Sequence, residues 1–221
     1  MRRFDLVAFD IDGTLVRGPD HMTVWEVLNK KFTGVPEVNK ERYALYKQGK
    51  LSYAEWVELD ISGWKDAGAS RQDLIDGFEP LSLMPGTREA LATLKEHGLR
   101  LVAISGTLDL MLNTLYPDHP FDELYANHIG FDEEERISHW RATPFDMDGK
   151  AKVLRAVAMR EGIPLERCAF VGDSSNDVWV AREAGFTVAV NPRSEELEKL
   201  AGAVVHADDL RDILPHLIET S

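Results

Sequence analysis

Phe9-Asp10-Ile11-Asp12-Gly13-Thr14 closes an apolar run that begins at Phe4. A short run of this kind reads as a buried strand. Asp10 and Asp12 then project from its carboxyl end, the edge at which open α/β sheets bind their ligands. Two carboxylates there are unfavourable unless they meet a cation or exchange protons. Asp and Gly are also ordinary turn residues, so the stretch alone equally describes a strand followed by an acidic turn.

Working outward, three further apolar runs recur with helical stretches between them: Leu99–Ile104, Cys168–Val171 and Phe186–Val190. Strands alternating with helices imply a parallel sheet covered on both faces. Arg88–His97 reads as a helix stopped by Gly98, and Lys150–Arg160 as one stopped by Gly162. Asp177–Ala184 reads as a third, ending at Gly185. A last strand, Ala203–His206, and a helix over 209–218 complete the series. Residues 16–83 break the alternation and read as several helices with no central strand. Ser52-Tyr53-Ala54-Glu55 is a capping-box pattern that starts a helix running to about Ala67. Leu124–Trp140, rich in β-formers and acids, reads as a hairpin. The expected division is a core of residues 1–15 and 84–221 with a helical cap of residues 16–83.

At 221 residues, one core with an inserted subdomain fits better than two independent domains. A chain 44% hydrophobic and 29% charged is that of a globular protein. The 25 basic and 38 acidic residues leave a net charge of -13, which opposes nucleic acid and anionic membranes. The single cysteine, Cys168, excludes an intrachain disulfide and a Cys-rich metal site, and its apolar setting reads as a packed core thiol. The first residues read as a strand rather than a signal peptide, and no apolar run spans a bilayer. A cytoplasmic protein, monomeric or homodimeric, is the resulting expectation.

Later segments bear on Asp10 and Asp12. The second run ends Ser105-Gly106-Thr107, which puts a hydroxyl and backbone N–H groups at the same sheet edge, suited to a phosphoryl oxygen. An ordinary strand-to-helix turn has the same residues. Asp148-Gly149-Lys150 opens a helix, where a lysine opposes the macrodipole; a phosphate partner would account for it, and so would a surface position. The third run ends Gly172-Asp173-Ser174-Ser175-Asn176-Asp177, a second acidic pair. Hard oxygen ligands of this kind suit Mg²⁺. Together these make a carboxylate nucleophile, a neighbouring acid, an oxyanion binder, a lysine and a metal pair, the parts of a phosphoryl-transfer site.

This order and spacing resembles the haloacid dehalogenase superfamily of phosphohydrolases, whose pattern is Asp-x-Asp-Gly-Thr, a strand-end Ser or Thr, Lys, and Gly-Asp-x-x-x-Asp. The resemblance covers nearly the whole chain. It implies a Rossmann-like doubly wound α/β core with a helical cap after the first strand, and a Mg²⁺-dependent phosphatase acting on a small phosphorylated metabolite. It implies that Asp10 attacks phosphorus to give an aspartyl-phosphate, and that Asp12 protonates the leaving oxygen and then activates water. Ser105 and Lys150 hold the phosphoryl oxygens. The implied Mg²⁺ ligands are Asp10, the Asp12 backbone carbonyl and Asp173, with Asp177 acting through water or behind them. The acid at position 12 points away from the ion-pumping and dehalogenase branches.

The cap position, Gly49-Lys50-Leu51-Ser52-Tyr53 and Tyr125-Ala126-Asn127 are similar to the phosphoserine phosphatase subfamily. Two positions depart from it. Pro19, beside Asp20, stands where that subfamily has Glu, and Asp60 stands where it has the Arg that pairs with the substrate carboxylate. Asp60 shares a helix face with Tyr53, Trp56 and Trp64. One reading has Asp60 and these rings bind a cationic tail such as that of phosphoethanolamine or phosphocholine. The other has the rings pack the cap while Asp60 sits at the rim beside Lys65 or Lys50. The expected substrate- and phosphate-binding set is Ser105, Gly106, Lys150, Asn176, Tyr53 and Asp60. Alternatives on the same residues are a phosphotransferase or phosphomutase and, outside enzymes, a silent phospho-ligand-binding regulator.

Overall fold

Leu6, Val7, Ala8 and Phe9 are all fully buried, as expected of a strand with side chains packed on both faces of a sheet. In the computed structural model these residues form β1 (Leu6–Phe9). The structure describes residues 3–35, 37–143 and 147–218. After β1 come β2 (Val16–Arg17), α1 (Val24–Thr33), α2 (Val38–Lys47), α3 (Tyr53–Asp66), α4 (Arg71–Gly77) and β3 (Ser82–Leu83). Then follow α5 (Thr87–Glu96), β4 (Arg100–Leu108), α6 (Asp109–Leu115), β5 (Glu123–Phe131), β6 (Ile137–Arg141) and α7 (Asp148–Glu161). The chain continues with β7 (Cys168–Gly172), α8 (Val178–Ala181), β8 (Phe186–Val190), α9 (Glu195–Leu200), β9 (Ala203–Val205) and α10 (Leu214–Leu217).

Among the described residues, seven strands form one sheet in the order β6-β5-β4-β1-β7-β8-β9. The pairings are parallel except β5 with β6, the expected hairpin, which extends one edge. The fold is thus a doubly wound, Rossmann-like α/β sheet. β1 lies between β4 and β7, with Phe9 opposite both Ala103 and Val171. Strand order reverses here, so the crevice beyond the carboxyl ends of β1, β4 and β7 is the expected ligand position. Alternate residues of the central strands serve opposite faces. Val7, Phe9, Leu101, Ala103, Ala169 and Val171 join one core. Leu6, Ala8, Val102, Ile104, Cys168 and Phe170 join the other, under α7.

The ends of the apolar runs hold to within a few residues, but three features differ from expectation. The helix expected over Asp177–Ala184 is a 3-10 turn at Ser175–Asp177 followed by the single turn of α8. The last helix is also split, into a 3-10 segment, Leu210–Ile213, and α10. Residues 16–83 hold α1 to α4 as expected, yet begin and end in β2 and β3, which pair antiparallel. That two-stranded ribbon was too short to leave an alternating pattern. α3 starts at its capping box: Ser52 Oγ accepts from the Glu55 N–H, and Glu55 reaches back to the Ser52 N–H. Cys168 is buried, and burial pushes its thiol up to about 11, so it behaves as a core residue. No helix among the described residues is long and apolar enough to cross a membrane.

Phe170 fills the layer between β7 and α7 and is fully buried. Phe170→Ala is expected to destabilise the protein by about 3–5 kcal/mol, read as a lower urea midpoint at unchanged m-value. A midpoint equal to wild type would contradict close packing on that face.

Candidate active site

Asp10 continues β1, and its N–H donates to the Val171 carbonyl at 2.9 Å. Its side chain is buried. Lys150 enters from the first turn of α7 and is wholly buried. Its ammonium lies 2.8 Å from Asp10 Oδ1 and 2.6 Å from Asp177 Oδ1. Two carboxylates therefore offset both its desolvation and its unfavourable place at a helix N-terminus. Lys150 is not a surface residue, which removes one of its two sequence readings.

Asp173 and Asp177 follow β7. Asp177 is held at both oxygens, Oδ1 by Lys150 and Oδ2 by the N–H groups of Asp173 (2.9 Å) and Ser174 (3.1 Å). Asp173 Oδ2 accepts from Arg193 Nε at 2.8 Å and Nη2 at 2.7 Å. Asp173 Oδ1 is buried and has no hydrogen-bond partner among the described residues. Burial pushes both carboxyls up; the charge of Asp177 adds to the shift of Asp173 and that of Asp10 to the shift of Asp177, while Lys150 pulls Asp177 back. Oxygens of Asp10, Asp173 and Asp177 lie within 4.8 Å of one another. Three converging hard oxygen donors, one of them an unpartnered buried oxygen, fit a divalent cation. Gly13 makes room for this cluster. Its φ is +85°, and a Cβ there would overlap the Asp173 carboxylate.

Asp12 is partly open to the cavity. Burial pushes its carboxyl up to about 7, with the charge of Asp10 adding to the shift. Contacts with Thr107 and the Val24 N–H pull the other way. Ser105 is buried in β4, and its Oγ accepts from the Thr107 N–H at 3.3 Å. Asn176 lies in the 3-10 turn at the cavity wall.

Asp10, Asp12, Ser105, Gly106 and Asn176 line one cavity of about 290 Å³ under the helices of residues 24–77. Tyr53, Trp56 and Asp60 of α3 also line it, and Trp64 does not. Trp64 is instead fully buried and stacks on Trp25 at 5.4 Å. Asp60 corrects the rim reading: it is buried, and its partners are Asn29 (2.7 Å) and Arg42, not Lys65 or Lys50. Asn29 in turn accepts from Trp64 Nε1 at 2.8 Å, so one network ties α1, α2 and α3 together. Burial pushes the Asp60 carboxyl up while Asn29 and Arg42 pull it down. Its charge is therefore already met from within the chain. Asp20 stands exposed in a 3-10 turn outside this cavity.

Thr23, Trp25, Glu26, Tyr43 and Arg193 also line the cavity, and sequence reasoning missed them. Thr23-Val24-Trp25-Glu26 carries a capping-box signal, and Glu26 does accept from the Thr23 N–H at 2.9 Å. That signal marks a helix start without indicating which cleft it faces. Arg193 lies past the end of β8, 20 residues from its partner, in no recognisable pattern.

A family model described as haloacid dehalogenase-like hydrolase matches residues 4–185. Phosphoserine phosphatase SerB2 of Mycobacterium tuberculosis is 29% identical over 201 residues, 91% of this chain and 47% of that protein. The chain thus spans about half the length of that relative. The phosphoserine phosphatase of Methanocaldococcus jannaschii is 26% identical over 212 residues, 96% of this chain and 97% of its own. A solved substrate-bound phosphoserine phosphatase complex has the same fold, with a TM-score of 0.78 at 24% identity, covering 98% of this chain and 100% of that one.

Lys150→Met keeps the volume of the side chain and removes the ammonium between Asp10 and Asp177. Leaving those carboxylates buried without it is expected to cost about 3–5 kcal/mol of stability at pH 8, measured by chemical denaturation. Wild-type stability in the Met variant would mean that the ion pairs are not what holds this site.

Proposed function

The chain belongs to the haloacid dehalogenase-like hydrolases and is phosphoserine phosphatase-like among them; on that footing we propose that it hydrolyses a small phosphomonoester through an aspartyl-phosphate on Asp10. The observation that carries the proposal is Lys150, whose buried ammonium joins Asp10 to the acidic loop after β7. It fixes the orientation of the Asp10 side chain at the sheet edge, and a carboxylate so placed can act as a nucleophile.

In the first step an Asp10 oxygen forms a bond to phosphorus as the bond from phosphorus to the leaving oxygen breaks. Asp12, whose carboxyl is pushed up to about 7, gives its proton to that oxygen. In the second step Asp12 takes a proton from water, the water oxygen bonds to phosphorus, and Asp10 is released with inorganic phosphate. Ser105 Oγ, the Gly106 N–H and Lys150 hold the equatorial oxygens, where charge accumulates. Asn176 borders the same space. Asp10, the Asp12 carbonyl and Asp173 would hold Mg²⁺, with Asp177 fixing their arrangement. The ion, when bound, supplies Lewis-acid polarisation of a phosphoryl oxygen.

We assign residues 16–83 as a cap over a core of 1–15 and 84–221, a division supported by the paired neck strands β2 and β3. The cap sets the leaving group. A cavity of about 290 Å³ walled by Trp25, Tyr43, Tyr53 and Trp56 suits a small metabolite with an apolar or cationic tail. Asp60 contributes to that wall with its charge matched by Arg42.

Asp10→Asn is expected to lower phosphate release from p-nitrophenyl phosphate by at least about a thousandfold without loss of fold by circular dichroism. Substantial activity in that variant removes Asp10 as nucleophile. Chelation with EDTA should abolish turnover and Mg²⁺ restore it; full activity in EDTA would exclude the metal. In a panel of phosphoserine, phosphoethanolamine and phosphocholine, the aromatic wall favours the last two. Best turnover of phosphoserine with phosphoethanolamine ignored would overturn that preference.

A further inference from the structure

Three side chains converge on one backbone oxygen at the mouth of the site. Trp25 Nε1 donates to the Gly106 carbonyl at 2.9 Å, and Asn127 Nδ2 donates to it at 2.7 Å. The Tyr53 hydroxyl stands 3.4 Å away and accepts from Asn127 Nδ2 at 2.8 Å. Asn127 is buried on β5, and its Oδ1 accepts from the Thr143 N–H at 2.8 Å, so it is fixed from the core side. Trp25 and Tyr53 belong to α1 and α3. One carbonyl oxygen has two lone pairs. Here one short bond comes from the core and the other from the helical insert.

The Gly106–Thr107 peptide is planar and trans, so its carbonyl and its N–H point in opposite directions. The carbonyl faces Trp25; the N–H faces Ser105 Oγ at 3.3 Å. Whatever holds the carbonyl therefore also orients the donor to Ser105. The residue before Trp25 acts on the other half of the site. Val24 is the first residue of α1, and its N–H stands near enough to the Asp12 carboxyl to draw it down against the effect of burial. That N–H is one of the donors a helix start leaves unsatisfied, and a carboxylate is the favoured partner there.

We propose that the first turn of α1 is a positioning element for the Ser105-Gly106-Thr107 end of β4, with Trp25 as its key side chain. With α1 seated, Trp25 holds the peptide beside the phosphoryl-binding hydroxyl, and the Val24 N–H faces the proposed acid. With α1 displaced, Gly106 keeps Asn127 and the longer Tyr53 contact but loses its short bond from the helices, and its peptide is freer to rotate. The oxyanion binder is then held from both sides only while α1 is seated. The catalytic part of this inference rests on the phosphatase reading; the structural coupling does not.

Trp25→Phe keeps a ring against Trp64 and removes the indole N–H. With Mg²⁺ and p-nitrophenyl phosphate, kcat is expected to fall about tenfold, the effect of one lost hydrogen bond, with a smaller change in KM. Inhibition by orthovanadate, which takes the geometry of a transferring phosphoryl group, should weaken by a similar factor. Hydrogen exchange, which needs no substrate, should quicken several-fold at 105–108 and leave β1 and β7 unchanged. Tyr53→Phe should show the same changes at smaller amplitude, and it decides the matter should Trp25→Phe not fold. Exchange at 105–108 within twofold of wild type in the folded variants overturns the coupling. A wild-type protein with no turnover, but with faster exchange in Trp25→Phe, would reject the phosphatase reading and keep the coupling. Quickened exchange with unchanged kcat and vanadate affinity would overturn the positioning role.

Discussion

The ammonium of Lys150 has no exposed surface and sits between two buried carboxylates, 2.8 Å from Asp10 and 2.6 Å from Asp177. Such an arrangement is stable only if the desolvation of three charges is offset by close contact. The requirement spreads through the fold. α7 must begin where its first turn looks across the sheet edge, β1 must end at Phe9, and the loop after β7 must fold back so that Asp177 faces inward. The backbone of that loop meets the demand: the N–H groups of Asp173 and Ser174 both bind Asp177 Oδ2. Asp173 is left with one oxygen on Arg193 and one unpartnered. A divalent cation would complete it.

The helical stretch of residues 24–77 meets a different constraint. Its charged residue, Asp60, is buried under aromatic rings and had to find partners inside the protein. Asn29 and Arg42 supply them from two other helices, and Asn29 passes the link to Trp64. The same network that satisfies Asp60 therefore fastens α1, which carries Trp25 and Val24 to the sheet edge beside Gly106 and Asp12. Packing of these helices and geometry of the site are parts of one structure.

Much of this was legible in the order of residues. Asp10, Asp12, Ser105, Lys150, Asp173 and Asp177 stand at ends of apolar runs or helix starts, and such ends gather at one edge of a parallel sheet. Gly98 and Gly162 end their helices with positive φ, as local chemistry requires. The reading failed where local pattern and tertiary contact disagreed. Asp177–Ala184 has helical residues, but Asp177 is drawn to Lys150 and to the preceding loop, so only Val178–Ala181 forms a helix. Asp60 shares a helix face with Tyr53, Trp56 and Trp64, yet that face turns half toward the cavity and half into the core. Periodicity gives the face of a helix and not what covers it.

Residue order alone set the sheet and the edge at which the acids collect, because strand patterning and short motifs are local properties. Only the tertiary structure decided which groups meet across long separations in the chain. Arg193 came to Asp173, Arg42 to Asp60, and Trp25 and Asn127 to the Gly106 carbonyl. Each of these contacts satisfies a buried charge or polar atom. Such a need is created by packing, and no spacing in the sequence announces which distant side chain will meet it.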